Sequence, residues 1–385
     1  MRRSLRWLFV RCLPIGLASQ LVFGCFDYSP LAIEADEIET VYVGSGGHIF
    51  QALDAQTGQK KWEVSLNEDI LTLPATSNGL VFIADPHHFY AISAKNGAKQ
   101  WEFNTGVRPS SIYRPVTDGQ TVFLLGNNNN TIYALDAQTG AKRWSNQSAV
   151  FLRQGGWFSG PSIADGMIYV GGTDSTLHAL DAQTGATRWR FRGKSTFQSR
   201  PLVVGNVVYA GCYDGKLYVL DAQTGQKKWE TVLGGYVQSP RIVGDLLYVT
   251  NWGELFAVDA QTGNRRWQYQ PHIYQNYTGS ASLLSINNGV VYGGFVPLDW
   301  NDGFMYTLDA ATGAPKRDLW PWPGGHNDWI TCAQVDKGVL YTTSRDNTVR
   351  AMDPQTGTVK WSYKADSYLT YSLGLVSKQG KLIEP

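Results

Sequence analysis

The chain contains few of the residues that build disulfide-rich or metal-rich domains. Of its 385 residues only 4 are cysteine and 6 are histidine. Cys12 and Cys25 lie near the N-terminus, and a disulfide between Cys212 and Cys332 is not expected, because they belong to distant repeat units. Both are expected to be small buried apolar residues. No two cysteines are adjacent, and no c-type haem motif is present.

An excess of charge of one sign is also missing. Lysine and arginine total 33 against 32 acidic residues, which gives a net charge of +1 and a pI near 7.6. Without a strong positive field, binding to nucleic acid or to an anionic membrane surface is not expected.

Long hydrophobic runs are missing too, and the nearest approach to one lies at the N-terminus. Four arginines precede the mildly apolar stretch 12–24, which is too short to span a bilayer and is typical of an export signal. The stretch ends in Val22-Phe23-Gly24-Cys25, which resembles a bacterial lipoprotein cleavage site. We therefore predict an export signal over 1–24, lipidation at Cys25, a tether over 25–39 and a periplasmic location, with a lipid anchor in the outer membrane as one possibility. The alternative is simple cleavage, with Cys25 incidental.

The chain does have a repeat, in which Asp-Ala-Gln-Thr-Gly or a close variant is followed by Trp. Successive units are 38 to 50 residues apart, a period that indicates a solenoid or propeller. The copies that keep Asp, Thr-Gly and Trp are Asp54–Trp62, Asp136–Trp144, Asp181–Trp189, Asp221–Trp229, Asp259–Trp267 and Asp353–Trp361. Ser93–Trp101 has lost the Asp and the Thr, and the unit that begins at Asp309 has Arg317 in place of Trp.

Each unit contains four short β-branched or aromatic runs separated by turn residues, which predicts a four-stranded antiparallel meander. The first unit has only its last three strands, and Tyr371–Val376 is a first strand without a unit. Pairing this segment with Val41–Val43 completes the count. We therefore predict an all-β fold, a single eight-bladed propeller over 40–385 whose two chain ends close the ring and remove exposed edges.

The repeated residues are expected to be structural. The Asp can accept backbone N–H groups of its own turn, and the Gly tolerates the positive φ of a bulged hairpin. The tryptophans are predicted to wedge between neighbouring blades, since one fixed position recurs in seven units. These tryptophans are Trp62, Trp101, Trp144, Trp189, Trp229, Trp267 and Trp361.

The pattern Ala-x-Asp-x-x-Thr-Gly-x-x-x-Trp, seen at Ala52–Trp62, resembles the docking motif of the pyrroloquinoline-quinone-type β-propellers, and the resemblance extends over about residues 40–377. It implies that each Trp packs against the neighbouring motif, with Trp320 or Trp322 as substitutes at Arg317. That superfamily contains quinone-dependent dehydrogenases and non-catalytic scaffolds of the BamB type, which belong to the outer-membrane β-barrel assembly machinery.

Length, leader and the lack of a catalytic constellation favour the scaffold reading. The resemblance then implies a monomer that binds the β-barrel assembly machinery or an unfolded outer-membrane client. The alternative is a quinoprotein dehydrogenase or an inactive quinone-binding relative. A propeller that binds a sugar or another small ligand is a third possibility.

No catalytic residue, cofactor or metal site is predicted from the residues themselves. No Ser, His and Asp arrangement, phosphate-binding loop or set of calcium ligands stands out, so pyrroloquinoline quinone with calcium belongs to the dehydrogenase alternative alone. The pair His87-His88 is a weak metal candidate, because adjacent side chains of an extended strand point to opposite faces.

Binding is predicted on the loops that precede each first strand and on those between the second and third strands, which emerge on one face. Arg and aromatic residues are enriched at binding hot spots. The candidates on these loops are Arg153, Trp157, Phe158, Phe197, Tyr236, Trp252, Tyr274, Tyr277, Trp300, His326, Trp329 and Tyr368. Alternatively, some of these rings plug the central channel. The insertion Phe295–Asp302 is a further candidate binding loop.

Overall fold

The strands of the chain belong to one compact unit, Glu34–Pro385. The computed structural model describes residues 38–70, 72–105, 114–126, 131–147, 160–238, 240–251, 253–271, 279–297, 304–321, 330–344, 346–377 and 382–383. Within these ranges the secondary structure is entirely β, with 33 strands. No helix long and apolar enough to cross a membrane occurs among these residues.

The first four blades run from Ile38 to Arg192. Blade 1 contains β1 (Ile38–Ser45), β2 (Ile49–Asp54) and β3 (Lys60–Ser65). Blade 2 contains β4 (Ala75–Ser77), β5 (Leu80–Ala84), β6 (His88–Ser93) and β7 (Lys99–Asn104). Blade 3 contains β8 (Val116–Thr117), β9 (Thr121–Gly126), β10 (Thr131–Asp136) and β11 (Lys142–Asn146). Blade 4 contains β12 (Ser162–Ala164), β13 (Met167–Gly171), β14 (Thr176–Asp181) and β15 (Thr187–Arg192).

The last four blades repeat this order. Blade 5 contains β16 (Leu202–Val204), β17 (Val207–Gly211), β18 (Lys216–Asp221) and β19 (Lys227–Val232). Blade 6 contains β20 (Arg241–Val243), β21 (Leu246–Thr250), β22 (Leu255–Asp259) and β23 (Arg265–Tyr269). Blade 7 contains β24 (Gly279–Asn287), β25 (Val290–Pro297), β26 (Phe304–Asp309) and β27 (Pro315–Pro321). Blade 8 contains β28 (Ile330–Asp336), β29 (Val339–Ser344), β30 (Thr348–Met352) and β31 (Val359–Lys364), and is followed by β32 (Leu369–Ser377) and β33 (Leu382–Ile383).

The two chain ends close the ring, which confirms the predicted eight-bladed fold. β32 pairs antiparallel with β1, with Val41 opposite Leu375 and Val43 opposite Leu373. The segment around Tyr371 therefore supplies the first strand of blade 1. One strand was not expected: β33 pairs with the other edge of β32, so the closing sheet has five strands.

Burial follows the position of each strand in its blade. In β13 all five residues are buried, because both faces of the sheet pack against neighbouring blades. The last strands are half exposed; in β15 every residue is either exposed or only partly buried. First strands of adjacent blades contact one another, as β4 does β8 and β12 does β16, so these strands line the centre of the ring.

The repeated turn has the predicted geometry. The Asp54 carboxylate accepts the backbone N–H groups of Gln56 at 3.0 Å and Thr57 at 2.9 Å, as well as the Thr57 hydroxyl at 2.9 Å. Gly58 has a φ of 73°. The pairing of β2 with β3 shifts register between Ala52 and Leu53, which marks the bulge. Asp and Gly therefore shape the hairpin.

The indole of each described docking tryptophan lies over the glycine of the next unit. A Cβ atom added to Gly225 would come within 2.6 Å of the Trp189 ring, so only glycine permits this approach. The Trp189 indole N–H also donates to the carbonyl oxygen of Ala222, at 2.8 Å. Six of the indoles make this bond, to the residue after the Asp or, in blade 2, after Ser93.

A second aromatic residue per blade, absent from the sequence prediction, supports the same junction. It lies in the second strand, separated from the docking tryptophan by one residue of the third strand. In blade 5 it is Tyr209, whose hydroxyl donates to the Ala260 carbonyl at 3.3 Å. The residues at this position are Tyr42, Phe82, Phe123, Tyr169, Tyr209, Tyr248, Tyr292 and Tyr341, and each is buried.

The repeated Asp also forms an ion pair with the residue that precedes the tryptophan. Asp181 and Arg188 approach to 2.6 Å, and equivalent pairs occur in blades 3 and 6 at 2.8 and 2.7 Å. The Arg188 guanidinium lowers the pKa of Asp181 to about 2. In the unit that has Ser93 instead of Asp, the basic residue is replaced by Gln100. The cation is thus absent where its partner is absent.

The seventh unit keeps the turn but not the tryptophan. Arg317 lies opposite Thr307, which is the register position that Trp189 occupies opposite Ala179. The side chains of Arg317 and Trp320, and all of Trp322, fall outside the described residues, so the predicted substitution stays a prediction.

Candidate functional site

Most of the predicted binding face lies outside the described residues. This applies to Arg153, Trp157, Phe158, Trp252, Tyr274, Tyr277, Trp300, His326 and Trp329, and also to Cys12 and Cys25. Of the insertion, Phe295–Pro297 form the end of β25, and residues 298–302 lie outside as well. Phe197, Tyr236 and Tyr368 are described, and each has a different environment.

Phe197 belongs to the core between blades 4 and 5. Its side chain is 1% exposed, and its ring lies 5.7 Å from Tyr218 and 6.3 Å from Phe191. The absence of a side chain at Gly171 makes room for it, because a Cβ atom there would come within 2.6 Å of the Phe197 Cβ. This ring is a packing element, not part of an accessible surface.

Tyr236 lies on the predicted face. Its ring stacks on Tyr213 with the centroids 4.9 Å apart and an interplanar angle of 27°. Tyr213 is in the turn between the second and third strands of blade 5, and Tyr236 is in the loop before the first strand of blade 6. The two loop classes therefore meet on one face. Tyr213 is 40% exposed and Tyr236 is partly buried, so the accessible part of this pair, here called the tyrosine platform, is mainly Tyr213.

Tyr368 joins the closing strand to the first two blades. It is 55% exposed, and its hydroxyl donates to the Asp69 carboxylate in the loop between blades 1 and 2. Its carbonyl oxygen accepts the N–H of Gly46 at 2.6 Å. Asp69 also lies 3.3 Å from the imidazole of His48. Tyr368 thus stabilises the seam, which is the junction between blade 8 and blade 1 where the two chain ends close the ring.

The two adjacent histidines contact carboxylates. His87 Nδ1 lies 2.6 Å from Glu68 Oε1, and His88 Nδ1 lies 3.2 Å from Asp85 Oδ1. Only His88 is in a strand, and the two rings are 6.0 Å apart rather than on opposite faces. Within the described part of the chain, no three His, Cys, Asp or Glu side chains could together hold a metal ion.

Cys212 is a free buried thiol, in agreement with the sequence prediction. Its Sγ–H donates to the carbonyl oxygen of Ser195 at 3.2 Å, and burial raises its pKa to about 12. A thiol in this state is not a reactive nucleophile. The side chain of Cys332 is not among the described ones.

A cavity of about 630 Å³ lies among the first strands of the blades. Its wall includes Arg114, Arg200 and Arg241, from blades 3, 5 and 6, together with apolar residues such as Ile163 and Ile242. The cavity was not predicted from the sequence, although Arg-Pro occurs at 114–115 and again at 200–201, just before a first strand. The wall is both cationic and apolar.

Comparison of the sequence with a family model identifies the family of the chain. A family model described as outer membrane protein assembly factor BamB matches residues 33–150 and 128–294. The chain belongs to the BamB family. The two overlapping matches cover the first six blades and part of the seventh. Most of the ring therefore matches the BamB family model. A search of curated proteins found no match.

Solved structures agree on the fold. BamB from Moraxella catarrhalis has 19% identity and a TM-score of 0.62, over 80% of this chain and 94% of that one. A computationally designed protein has 17% identity and a TM-score of 0.62, over 81% and 94%. A quinohemoprotein alcohol dehydrogenase from Pseudomonas putida has 13% identity and a TM-score of 0.64, over 82% and 71%. At these identities the likeness shows the propeller alone, since one fold hosts several functions.

Proposed function

We propose that the chain is a non-catalytic, exported propeller scaffold that binds protein partners, and that it takes a BamB-like part in the assembly of outer-membrane β-barrel proteins. The observation that carries this proposal is membership of the BamB family over residues 33–294. Under this proposal residues 1–24 act as an export signal, and lipid on Cys25 holds the propeller at the outer membrane.

The tyrosine platform supports a binding role for the loop face. Tyrosine supplies a large contact area at low entropic cost and is a frequent hot-spot residue. Tyr213 and Tyr236 come from loops of two different blades, which the rigid ring holds in register. We assign the partner contact to this face, with Tyr368 and the predicted aromatic residues of the other loops.

Affinity capture tests the proposal. The tagged full chain is expected to recover a subunit of the β-barrel assembly machinery from detergent-solubilised envelope of the producing cells, identified by mass spectrometry. Replacement of the exposed Tyr213 by serine should reduce recovery at an unchanged melting temperature. Val359→Ser is the matched control, because Val359 is 43% exposed and begins the outer strand β31, beside the docking turn at the opposite end of a blade from this face. Recovery of no assembly subunit by the unaltered chain would contradict the proposal.

The likeness to a quinohemoprotein dehydrogenase keeps one alternative open to experiment. Purified protein is mixed with pyrroloquinoline quinone and calcium, and quinone absorbance is measured after gel filtration. Dye reduction is then assayed with alcohols and aldoses. The scaffold proposal predicts no turnover. Retained quinone with turnover would establish the dehydrogenase alternative instead.

A further inference from the structure

One outer strand of the propeller departs from the charge pattern of the others. In blades 1, 2 and 5 the residue after the docking tryptophan is a glutamate that forms an ion pair with a lysine three residues earlier, at 2.5 to 2.8 Å. In blade 4 both partners are exchanged, with Arg190 at the glutamate position and Thr187 at the lysine position. The seven other units have an acidic or neutral residue where blade 4 has Arg190. These residues are Glu63, Glu102, Ser145, Glu230, Gln268, Asp318 and Ser362.

The exchange leaves a row of cations on one face of β15. Trp189 and Phe191 pack in the core between blades 4 and 5, so the alternate residues Arg190 and Arg192 project from the opposite face. Both are exposed, as is Lys194, two residues further along the chain. Arg190, Arg192 and Lys194 are here called the basic strip. Its two arginines are about 6.6 Å apart along the strand, twice the rise per residue.

No carboxylate neutralises the basic strip within the described part of the chain. The Arg190 guanidinium donates to the Thr187 hydroxyl at 3.5 Å, and none of the three cations forms an ion pair with a described residue. The face from which the arginines project packs against blade 3 nearer the centre of the ring. The sequence between Asp136 and Asp165, which includes the outer strand of blade 3, contains no Asp or Glu. The positive charge is therefore local to this junction, although the chain as a whole is nearly neutral.

The outer edge of β15 can accept a further strand. β15 is the last strand of its sheet and pairs only with β14, so its other edge has no partner strand among the described residues. An extended segment paired with this edge would place alternate side chains opposite Arg190 and Arg192, and the intervening ones beside Trp189 and Phe191. Acidic residues suit the first set of positions. Apolar residues suit the second set, because both rings are only partly buried.

We infer that the outer edge of blade 4 binds an extended segment of a protein partner in which acidic and apolar residues alternate, and that the basic strip pairs with its carboxylates. Main-chain hydrogen bonds of an added strand provide affinity, and its alternate side chains provide specificity. Charged side chains also protect an open edge from aggregation. The other units, however, do without a cation at the position of Arg190. The inference is independent of the proposed function, because it concerns an outer strand and not the loop face.

Fluorescence anisotropy with labelled synthetic peptides tests the inference on the purified full chain at low ionic strength. One peptide is a heptapeptide of alternating glutamate and valine, and the other has the same composition with glutamates and valines in separate blocks. The alternating peptide should bind saturably and about fivefold or more tightly than the blocked one, since only alternation matches the period of a strand. Its binding should weaken as the salt concentration rises, because the charge pairs are exposed.

A double variant that restores the ordinary pattern is the sharpest test of the site. Thr187→Lys with Arg190→Glu recreates the ion pair of blades 1, 2 and 5, and should weaken binding of the alternating peptide about tenfold or more, since like charges then face each other. Arg192→Ser should weaken binding as well. Lys364→Ser, at the same register position in blade 8, is the matched control and should bind normally. Melting temperatures are measured throughout, and Arg192→Ser with Lys194→Ser replaces the double variant if that one does not fold.

The inference is overturned if the alternating peptide does not bind saturably, if the blocked peptide binds equally well, or if the double variant binds as tightly as the unaltered chain. Co-sedimentation with phosphatidylglycerol vesicles forms a further arm. Vesicle binding that the double variant loses, in the absence of peptide binding, would assign the basic strip to a membrane surface and overturn the inference.

Discussion

Trp361 donates its indole N–H to the carbonyl oxygen of Ala55, 2.9 Å away in space and 306 residues earlier in the chain. The same ring lies over Gly58. This is the contact that the other indoles make between neighbouring blades, here formed between the eighth blade and the first. The two chain ends are thus joined by the β32–β1 ladder and by a repeat of the ordinary blade junction.

Trp361→Ala should lower the free energy of unfolding by about 3 kcal/mol or more, since it removes a large partly buried ring and leaves a cavity at the seam. Urea denaturation followed by circular dichroism measures this. Trp189→Ala, at an internal junction, is the matched comparison and should cost a similar amount. A loss below about 1 kcal/mol for Trp361→Ala would mean that the seam contributes little.

Tyr169 and Trp189 donate to one carbonyl oxygen, that of Ala222, at 3.3 and 2.8 Å. Tyr169→Phe should therefore cost only about 1 kcal/mol or less, because the indole still satisfies the acceptor. The combined Tyr169→Phe and Trp189→Phe variant should cost more than the sum of the two single changes. Strict additivity in this double-mutant cycle would show that the two donors do not share the acceptor.

Gly225 and Gly205 lie in the same blade, with φ values of 70° and 54°. An added Cβ atom at Gly225 would be 2.6 Å from the Trp189 ring, whereas at Gly205 it meets nothing within 4 Å. Gly205→Ala should cost about 1 kcal/mol, the strain of a left-handed alanine. Gly225→Ala should cost clearly more, because the indole must move. Equal losses in thermal denaturation would refute the wedge role of the indole.

The acid sensitivity of the ring should depend on its repeated ion pairs. Arginine partners lower the pKa values of Asp136, Asp181 and Asp259 from 3.8 to about 2. Because the folded pKa lies below the unfolded one, each carboxylate stabilises the fold above about pH 4, and the contribution disappears as the pH falls towards 2. Each effect is small, since the pairs are partly exposed.

Replacing the three partners, Arg143, Arg188 and Arg266, by glutamine should flatten the decrease in melting temperature between pH 4 and pH 2. Differential scanning calorimetry at both pH values gives the comparison. Arg190→Gln, on the same outer strand as Arg188, is the control and should leave the decrease unchanged. An identical decrease in the triple variant and in the unaltered chain would exclude the ion pairs as its cause.

The blade number, the four-strand units and the closing of the ring were predictable because they depend on local features. Turn residues, short β-branched runs and the unpaired segments at Val41 and Tyr371 all lie within the repeat, so counting them was sufficient. The hydrogen bonds of Asp54 and the positive φ of Gly58 were predictable for the same reason. Each of these features depends only on residues within the five-residue turn Asp54–Gly58.

Apart from the docking tryptophans, which recur in the repeat, features that depend on a neighbouring blade were not predicted. Phe197 is a loop residue in sequence, but the space left by Gly171 in the blade before it allows its burial. Tyr209 looks like any strand residue until the carbonyl of Ala260 is placed beside it. The ion pair between the repeated Asp and the basic residue before the tryptophan could have been predicted. Both partners are lost together in one unit, where Ser93 replaces the Asp and Gln100 replaces the basic residue.

The central claim is that the loop face of this propeller binds the outer-membrane assembly machinery, and crosslinking in intact cells tests it most directly. A photo-reactive amino acid is introduced at position 213, on the tyrosine platform, and separately at position 359, which is exposed at the opposite end of an outer strand. An adduct with an assembly subunit is expected from position 213, and none is expected from position 359. Equal adducts from both positions, or no assembly subunit from either, would contradict it.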